Sequence, residues 1–233
     1  MITPMQNRMS LINFDAGIDL AVFKDLLKSE MTWLFKDGLP KQVLFIPDAY
    51  DGAYYNSYIQ KVVQIFASFK VGVNLISDGV PAELIKNSAC IVVGGGSLEH
   101  LLLGVNGYKN ALKSALASGK PYLGWNEGAV LPCPYYVAPA ILPLTPTGLG
   151  ATVAQTYTHF VDNDLNRLEI KNFLVNHKNG VPPVTDVVCF SDHPGGSGIR
   201  LEDDIIALSY GGGSTGGLNI RFALGNQNQL ITI

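Results

Sequence analysis

The chain has 233 residues, a formal net charge of −3, 47% hydrophobic residues and 15% charged ones. That composition fits one folded α/β unit over residues 1–233, compact and soluble, and excludes a disordered chain. No basic run or stripe of Lys and Arg occurs, so nucleic acid is not an expected partner.

Cys90, Cys133 and Cys189 are widely spaced, with no CxxC and no Cys/His cluster. Neither a disulfide framework nor a metal site is expected, no cofactor is indicated, and a reducing cytoplasm is the expected compartment. The N-terminus shows no basic stretch followed by an apolar run and a small-residue cleavage site, so no secretory leader is expected. Residues 128–161 lack Asp, Glu, Lys and Arg and are long enough to span a bilayer, yet Pro132, Pro134, Pro139, Pro143 and Pro146 interrupt them. A spanning helix cannot absorb so many lost N–H groups. The segment reads as a buried or pocket-lining loop, and no membrane association is expected.

In chain order, Met9 to Phe14 is an apolar run suited to a first strand. Ile18 to Phe35 follows a helical period, with Leu20, Phe23, Leu26, Leu27 and Leu34 on one face, and Gly38-Leu39-Pro40 stops it. Val43 to Ile46 is the next buried strand, Asp51-Gly52 a turn, and Tyr54 to Phe69 a second amphipathic helix. Gly72 to Ile76 is a strand, Pro81 to Lys86 a short helix opened by its proline, and Ala89 to Val93 another strand. Leu98 to Ala117 is a long helix interrupted near Gly104 to Gly107, and Tyr122 to Trp125 is the fifth strand. Apolar runs without alternation, separated by helices, indicate parallel strands buried on both faces. Right-handed crossovers then give a doubly wound three-layer sandwich, flavodoxin-like, whose sites collect at the carboxyl ends of the strands. Asp48, Gly94 to Ser97, and Asn126 with Glu127 all fall at such ends and are expected to converge. Further on, Leu165 to His177 reads as a helix. Asp186–Phe190, Ile199–Leu201, Ile205–Tyr210, Leu218–Phe222 and Leu230–Ile233 read as short antiparallel strands, with Gly211-Gly212-Gly213 a turn.

The stretch Gly124-Trp125-Asn126-Glu127-Gly128 has the frame of a nucleophile elbow, a strand-to-helix turn that lifts one side chain above a parallel sheet. The lifted residue is usually serine in the pattern G-x-S-x-G; here it is Asn126, which tolerates positive φ but supplies no nucleophile. With Val-Leu-Phe-Ile-Pro at 43–47, Ile-Val-Val-Gly-Gly-Gly-Ser at 91–97 and Gly-Trp-Asn-Glu-Gly-Ala at 124–129, the chain resembles the dipeptidase E (aspartyl dipeptidase) family. It resembles cyanophycinase more loosely, within the class I glutamine amidotransferase-like superfamily. The family's own elbow reads Gly-Trp-Ser-Ala-Gly-Ala.

The resemblance implies a serine-type dipeptidase ancestry. It also implies an oxyanion hole built from Gly95 or Gly96, beside Ser97, with the amide of Glu127, and His159 as the catalytic histidine, its ring within reach of Asn126. It further implies an orienting aspartate between elbow and histidine, but no carboxylate lies between Glu127 and Asp162. Nucleophile and acid are both expected to be missing, so the expected role is an inactive homologue with a retained cleft for a small molecule or short peptide. Two other readings stand beside it: a working hydrolase with a displaced nucleophile, Ser97 or Cys133, and a partner-binding role with a closed pocket. A glutamine amidotransferase would need cysteine at 126.

Simpler roles remain for several of these residues. Ser97 can cap the helix that follows it. Glu127 can act as a first-turn acid on its helix dipole, or its carboxylate can enter the anion site. Cys133 can be a small buried hydrophobe, His177 a solvated helix-end residue and His100 a helix-surface residue, while His193 has no informative context. Oligomeric state is left open, a homodimer included.

Overall fold

A computed structural model describes residues 8–14, 18–49, 55–135, 148–152, 154–180, 183–192, 196–203, 205–211, 219–224 and 229–232. Five strands, β1 (Arg8–Asn13), β2 (Gln42–Ile46), β3 (Gly72–Leu75), β4 (Ile91–Val93) and β5 (Tyr122–Trp125), pair in parallel in the order β3-β2-β4-β5-β1. Each of β2, β4 and β5 is a short apolar run with no alternation of polar residues, because helices cover both of its faces.

Successive strand residues enter opposite layers. Leu11, Leu44, Ile46, Ile91, Val93 and Tyr122 pack into one apolar cluster with residues of α3 (Pro81–Asn87), α4 (Leu98–Val105) and α5 (Lys109–Ala117). Ile12, Val43, Phe45, Val92, Leu123 and Trp125 pack into the other, with α1 (Leu20–Leu34) and α2 (Tyr55–Ser68). That is the expected three-layer sandwich. The predicted break in the long helix is a 3-10 turn at Asn106–Tyr108, and Pro81 occupies the first turn of α3. On α1 the buried side chains are Phe23, Leu27, Glu30, Met31 and Leu34, whereas Leu20, expected on that face, is 55% exposed at the helix start.

The C-terminal part differs from the expectation of antiparallel strands alone. β8 (Ser197–Glu202) and β9 (Ile205–Gly211) extend the main sheet antiparallel to β1. A second, four-stranded sheet forms in the order β11-β10-β7-β6 from β6 (Gln155–Tyr157), β7 (Asp186–Phe190), β10 (Asn219–Leu224) and β11 (Leu230–Thr232). β6 pairs parallel to β7; its three residues lie inside the segment read as a loop, too short to leave a periodic signal. α7 (Asp164–His177) covers this sheet through Ile170, Phe173 and Leu174, packed with Tyr157, Val187, Cys189 and Phe222. His177, expected in solvent, is buried there: its Nδ1 lies 2.8 Å from the Phe173 carbonyl and its ring packs on Tyr135 and Phe173.

The turns at Asp51-Gly52 and at Gly212-Gly213, the prolines at 139, 143 and 146, and His193 lie outside the described residues. The described flanks of the proline-rich segment, including Leu131, Cys133, Tyr135 and Leu149, are buried. Among the described residues no helix is long and apolar enough to cross a membrane.

Candidate active site

The elbow forms as its glycine spacing requires. Between β5 and the short α6 (Glu127–Val130), Asn126 is held at φ 52° and ψ −118°, a conformation of high backbone energy for a residue with a side chain. Two close approaches enforce it. A Cβ on Gly124 would lie 2.2 Å from the Gly128 carbonyl oxygen, and one on Gly128 would lie 2.3 Å from that of Val93. The Asn126 amide N–H donates to the Ile12 carbonyl at 2.8 Å, which fixes the elbow to β1.

The Asn126 side chain does not stand free at the top of the turn. Its Oδ1 accepts the Phe14 N–H at 3.0 Å and its Nδ2 donates to the Phe14 carbonyl at 3.2 Å. Both ends of the amide are engaged with the backbone that leaves β1.

The Glu127 carboxylate turns toward the glycine loop and the imidazole of His159. The Gly96 N–H donates to Glu127 Oε2 at 2.7 Å, and Glu127 Oε1 lies 3.3 Å from Nε2 of His159. Gly95 must lack a side chain, since a Cβ there would sit 2.7 Å from Cβ of Asn126. Of the two expected roles of Glu127, the contacts favour the second: its carboxylate reaches the N–H of Gly96 in the glycine loop. Ser97 does the simpler job. It is the N-cap of α4, its Oγ accepting the His100 N–H at 3.4 Å, and it does not line the cleft.

His159 follows β6 with φ 56°, a second strained non-glycine residue at the site. The expected contact of its ring with Asn126 does not form; Nε2 faces Glu127 instead, and Nδ1 lies 2.6 Å from Oδ1 of Asp192. The expectation of a missing orienting acid is therefore corrected. Asp192 takes that place from downstream of the histidine, two residues past the end of β7. Asn13, buried at the end of β1, holds this acid by donating from Nδ2 to Asp192 Oδ1 at 3.0 Å and to the Ser191 carbonyl at 3.2 Å. Sequence reasoning missed Asp192 because it sought the acid only between elbow and histidine. The usable signal was a carboxylate at the carboxyl end of a predicted strand.

Two carboxylates against one imidazole change its proton affinity. The hydrogen bond to Glu127 is the largest cause and, with the charges of Glu127 and Asp192, outweighs partial burial; the His159 pKa rises to about 9. At neutral pH the ring is an imidazolium with both nitrogens donating.

Gly95, Gly96, Asn126, Glu127 and His159 line a cleft of about 500 Å³. Its walls are Phe14 and Ile18 from the connection between β1 and α1, Phe23 from α1, Tyr58 and Val62 from α2, and Trp125 from β5. Phe23 meets Trp125 edge-on with centroids 5.6 Å apart, and the Trp125 Nε1–H donates to the Tyr58 hydroxyl at 3.0 Å. Asp48, expected at the same place, turns away. Its Oδ2 accepts the Tyr108 hydroxyl at 2.5 Å, and burial raises its carboxyl above the usual range. Neither alternative nucleophile is available. Cys133 is fully buried against Thr156 Oγ1 at 3.3 Å, burial pushing its thiol up to about 11, and Ser97 is a cap.

Residues 22–187 match the sequence model of peptidase family S51. A protein named peptidase E from Nostoc sp. is 28% identical over 184 residues, covering 72% of each chain. Peptidase E of Shewanella sp. strain W3-18-1 is 34% identical over 89 residues, 37% of this chain and 38% of that one. Among solved structures, a peptidase from an acI-B1 actinobacterium superposes with a TM-score of 0.62 over 99% of this chain and 96% of its own, at 14% identity. A putative peptidase E from Listeria monocytogenes EGD-e gives 0.56 over 85% and 96%, at 18% identity. At those identities the structures speak to the fold, which they share.

Proposed function

The chain belongs to peptidase family S51, and we propose that within it this protein has lost serine-peptidase chemistry and keeps the cleft as a binding site for a small molecule or short peptide. Acyl transfer at an elbow needs a nucleophile, a neutral base to take its proton, and unoccupied donors for the developing oxyanion. The observation that carries the reading is the Asn126–Glu127 pair, which removes all three. Asn126 offers an amide already bonded to the Phe14 backbone. Glu127 keeps His159 protonated and covers the Gly96 N–H with its own carboxylate.

The rival reading, a hydrolase with a displaced nucleophile, finds no support in the capping role of Ser97 or in the burial of Cys133. Three buried free thiols among the described residues support a reducing, cytoplasmic location.

The test is hydrolysis of Asp-X dipeptides, followed by chromatography against a buffer blank. Turnover is expected at the level of the blank; turnover well above it would retire the reading. A retained cleft further requires that some small ligand raise the melting temperature, since binding confined to the native state stabilises it.

A further inference from the structure

A second cleft, of about 650 Å³, lies between α3 and α5. Its lining includes Ala89 and Pro121, which lead into the parallel strands β4 and β5. It therefore sits at the amino ends of those strands, the end of the sheet away from the elbow. A smaller cleft of about 300 Å³ adjoins it, and Ser88 and Ala89 line both. The chain has a net charge of −3, yet the described residues lining the two clefts include Lys41, Lys86 and Lys120 and no Asp or Glu.

Lys120 bridges the two helices that wall the larger cleft. Its Nζ donates to the carbonyls of Lys86 and Ser88 at the end of α3, which leaves one of three N–H groups for a ligand. Burial lowers its pKa, and among the described residues only the Cys90 side chain opposes that shift. Burial keeps the Cys90 thiol protonated at neutral pH, so no charge among the described residues balances the ammonium. Hydrogen bonds also fix apolar lining beside it. The Lys120 N–H donates to the Ala115 carbonyl at 3.1 Å, and the Ser88 hydroxyl donates to the Ile85 carbonyl at 3.0 Å. Ile85 and Ala115 are both buried.

We propose that this cleft is a second ligand site and takes a small organic monocarboxylate with a compact apolar body, its carboxylate received by Lys120. Opposite charges attract more strongly at a partly dehydrated ammonium than in water, and the apolar body gains by leaving water for the walls. The volume is in the range that encloses a small organic ligand. Among the described lining residues there is no arginine and no glycine-rich loop, so the fork or the amide cradle that suits a phosphate is missing.

Two-dimensional amide NMR titrations of the full chain at pH 7 test this with four probes: cyclohexanecarboxylate, cyclohexylmethanol, cyclohexylmethylammonium and inorganic phosphate. The carboxylate should shift amides of α3 and α5 and bind about five- to tenfold more tightly than the alcohol, the gain from one charge-assisted hydrogen bond. The ammonium and phosphate should bind more weakly than the alcohol. Lys120→Met, shown folded by circular dichroism, should bring the carboxylate to the level of the alcohol and leave the alcohol unchanged. Ser114→Phe, at an exposed lining position of α5, should obstruct the cleft and weaken both while Lys120 stays in place. Equal binding of carboxylate and alcohol to wild type overturns the proposal, as does tightest binding by the ammonium or by phosphate. Shifts confined to the elbow, at Gly96 and Glu127, overturn it as well, and so does the absence of binding by every probe. These wild-type outcomes decide the matter even if Lys120→Met fails to fold.

Discussion

Replacing Asn126 by serine should not by itself produce a peptidase, whereas Asn126→Ser combined with Glu127→Ala should. In the single variant the new hydroxyl meets an imidazole that already holds a proton. With its pKa at about 9, His159 is neutral in only ~1% of molecules at pH 7, which lowers the rate by about 10². The Gly96 N–H is also engaged by Glu127 at 2.7 Å, and losing one oxyanion donor costs about 10²–10³ in turnover. The two effects share one cause, so they do not multiply fully. The single variant should fall about 10³–10⁴ below the double in kcat/KM. The double variant recreates the Ser-Ala pair of the family's elbow, with Asp192 in place to orient the ring; without such an acid the loss would be about 10⁴. The assay is Asp-X dipeptide hydrolysis across pH 6 to 9. Activity of the single variant should climb about tenfold per pH unit toward pH 9, while that of the double should level off near the ordinary histidine value of about 6.5. Equal activity of the two variants at pH 7 would show that Glu127 obstructs nothing. A folded double variant at the level of the blank would show that the His159–Asp192 pair cannot serve a serine at this elbow.

The His159 pKa also sets a pH dependence of stability. A value raised to about 9 in the folded state, against about 6.5 unfolded, means the stabilisation is complete below pH 6.5 and is lost as pH rises toward 9. After solvent screening of the partly exposed ring it amounts to about 1–2 kcal/mol. Chemical denaturation of wild type and His159→Gln at pH 6 and 9.5 checks it; a wild-type loss matched by the variant refutes the assignment. Arg200→Ala should destabilise by about 3–5 kcal/mol, because Glu30, 1% exposed, would lose both guanidinium hydrogen bonds at 2.8 and 2.9 Å; a urea titration showing less than 1 kcal/mol would refute this. Gly128→Ala, whose methyl would lie 2.3 Å from the Val93 carbonyl oxygen, should cost at least about 1–3 kcal/mol. An unchanged melting temperature would mean that the elbow can shift.

The parallel layer was readable because its signals are local. Unbroken apolar strands such as Val43 to Ile46, helices with a clear buried face, and the glycine frame at 124–128 each declare themselves within a few residues. The N-cap of α4 was written in the same way, by Ser97. Long-range events were not readable. β6 is three residues long and forms only because β7 offers it a parallel edge. His177 looked like a polar helix end, yet its ring is needed to fill the space between Tyr135 and Phe173. At the site, the strained turn and the glycine loop were visible in the sequence, as was His159. The Asp192 contact was not, since it depends on β7 lying parallel beside β6 and on Asn13 reaching across from β1. The orientation of Glu127 was undecidable for a similar reason: a first-turn acid can serve its own helix or reach for a neighbouring loop, and only the position of Gly96 decides.

The carboxylate–imidazole–carboxylate chain joins two separate sheets. Glu127, at the start of α6, and Gly96, in the loop after β4, follow strands of the main sheet, and His159 and Asp192 follow β6 and β7 of the second. A charged chain placed there acts as a clasp, and a clasp has a mechanical use whether or not the site turns over. Across related chains, then, the retention of His159 and Asp192 would measure the need to hold the two sheets together and would say little about turnover. The residue to follow is at position 127: a carboxylate there engages the Gly96 N–H and the imidazole, and a small side chain would leave both free.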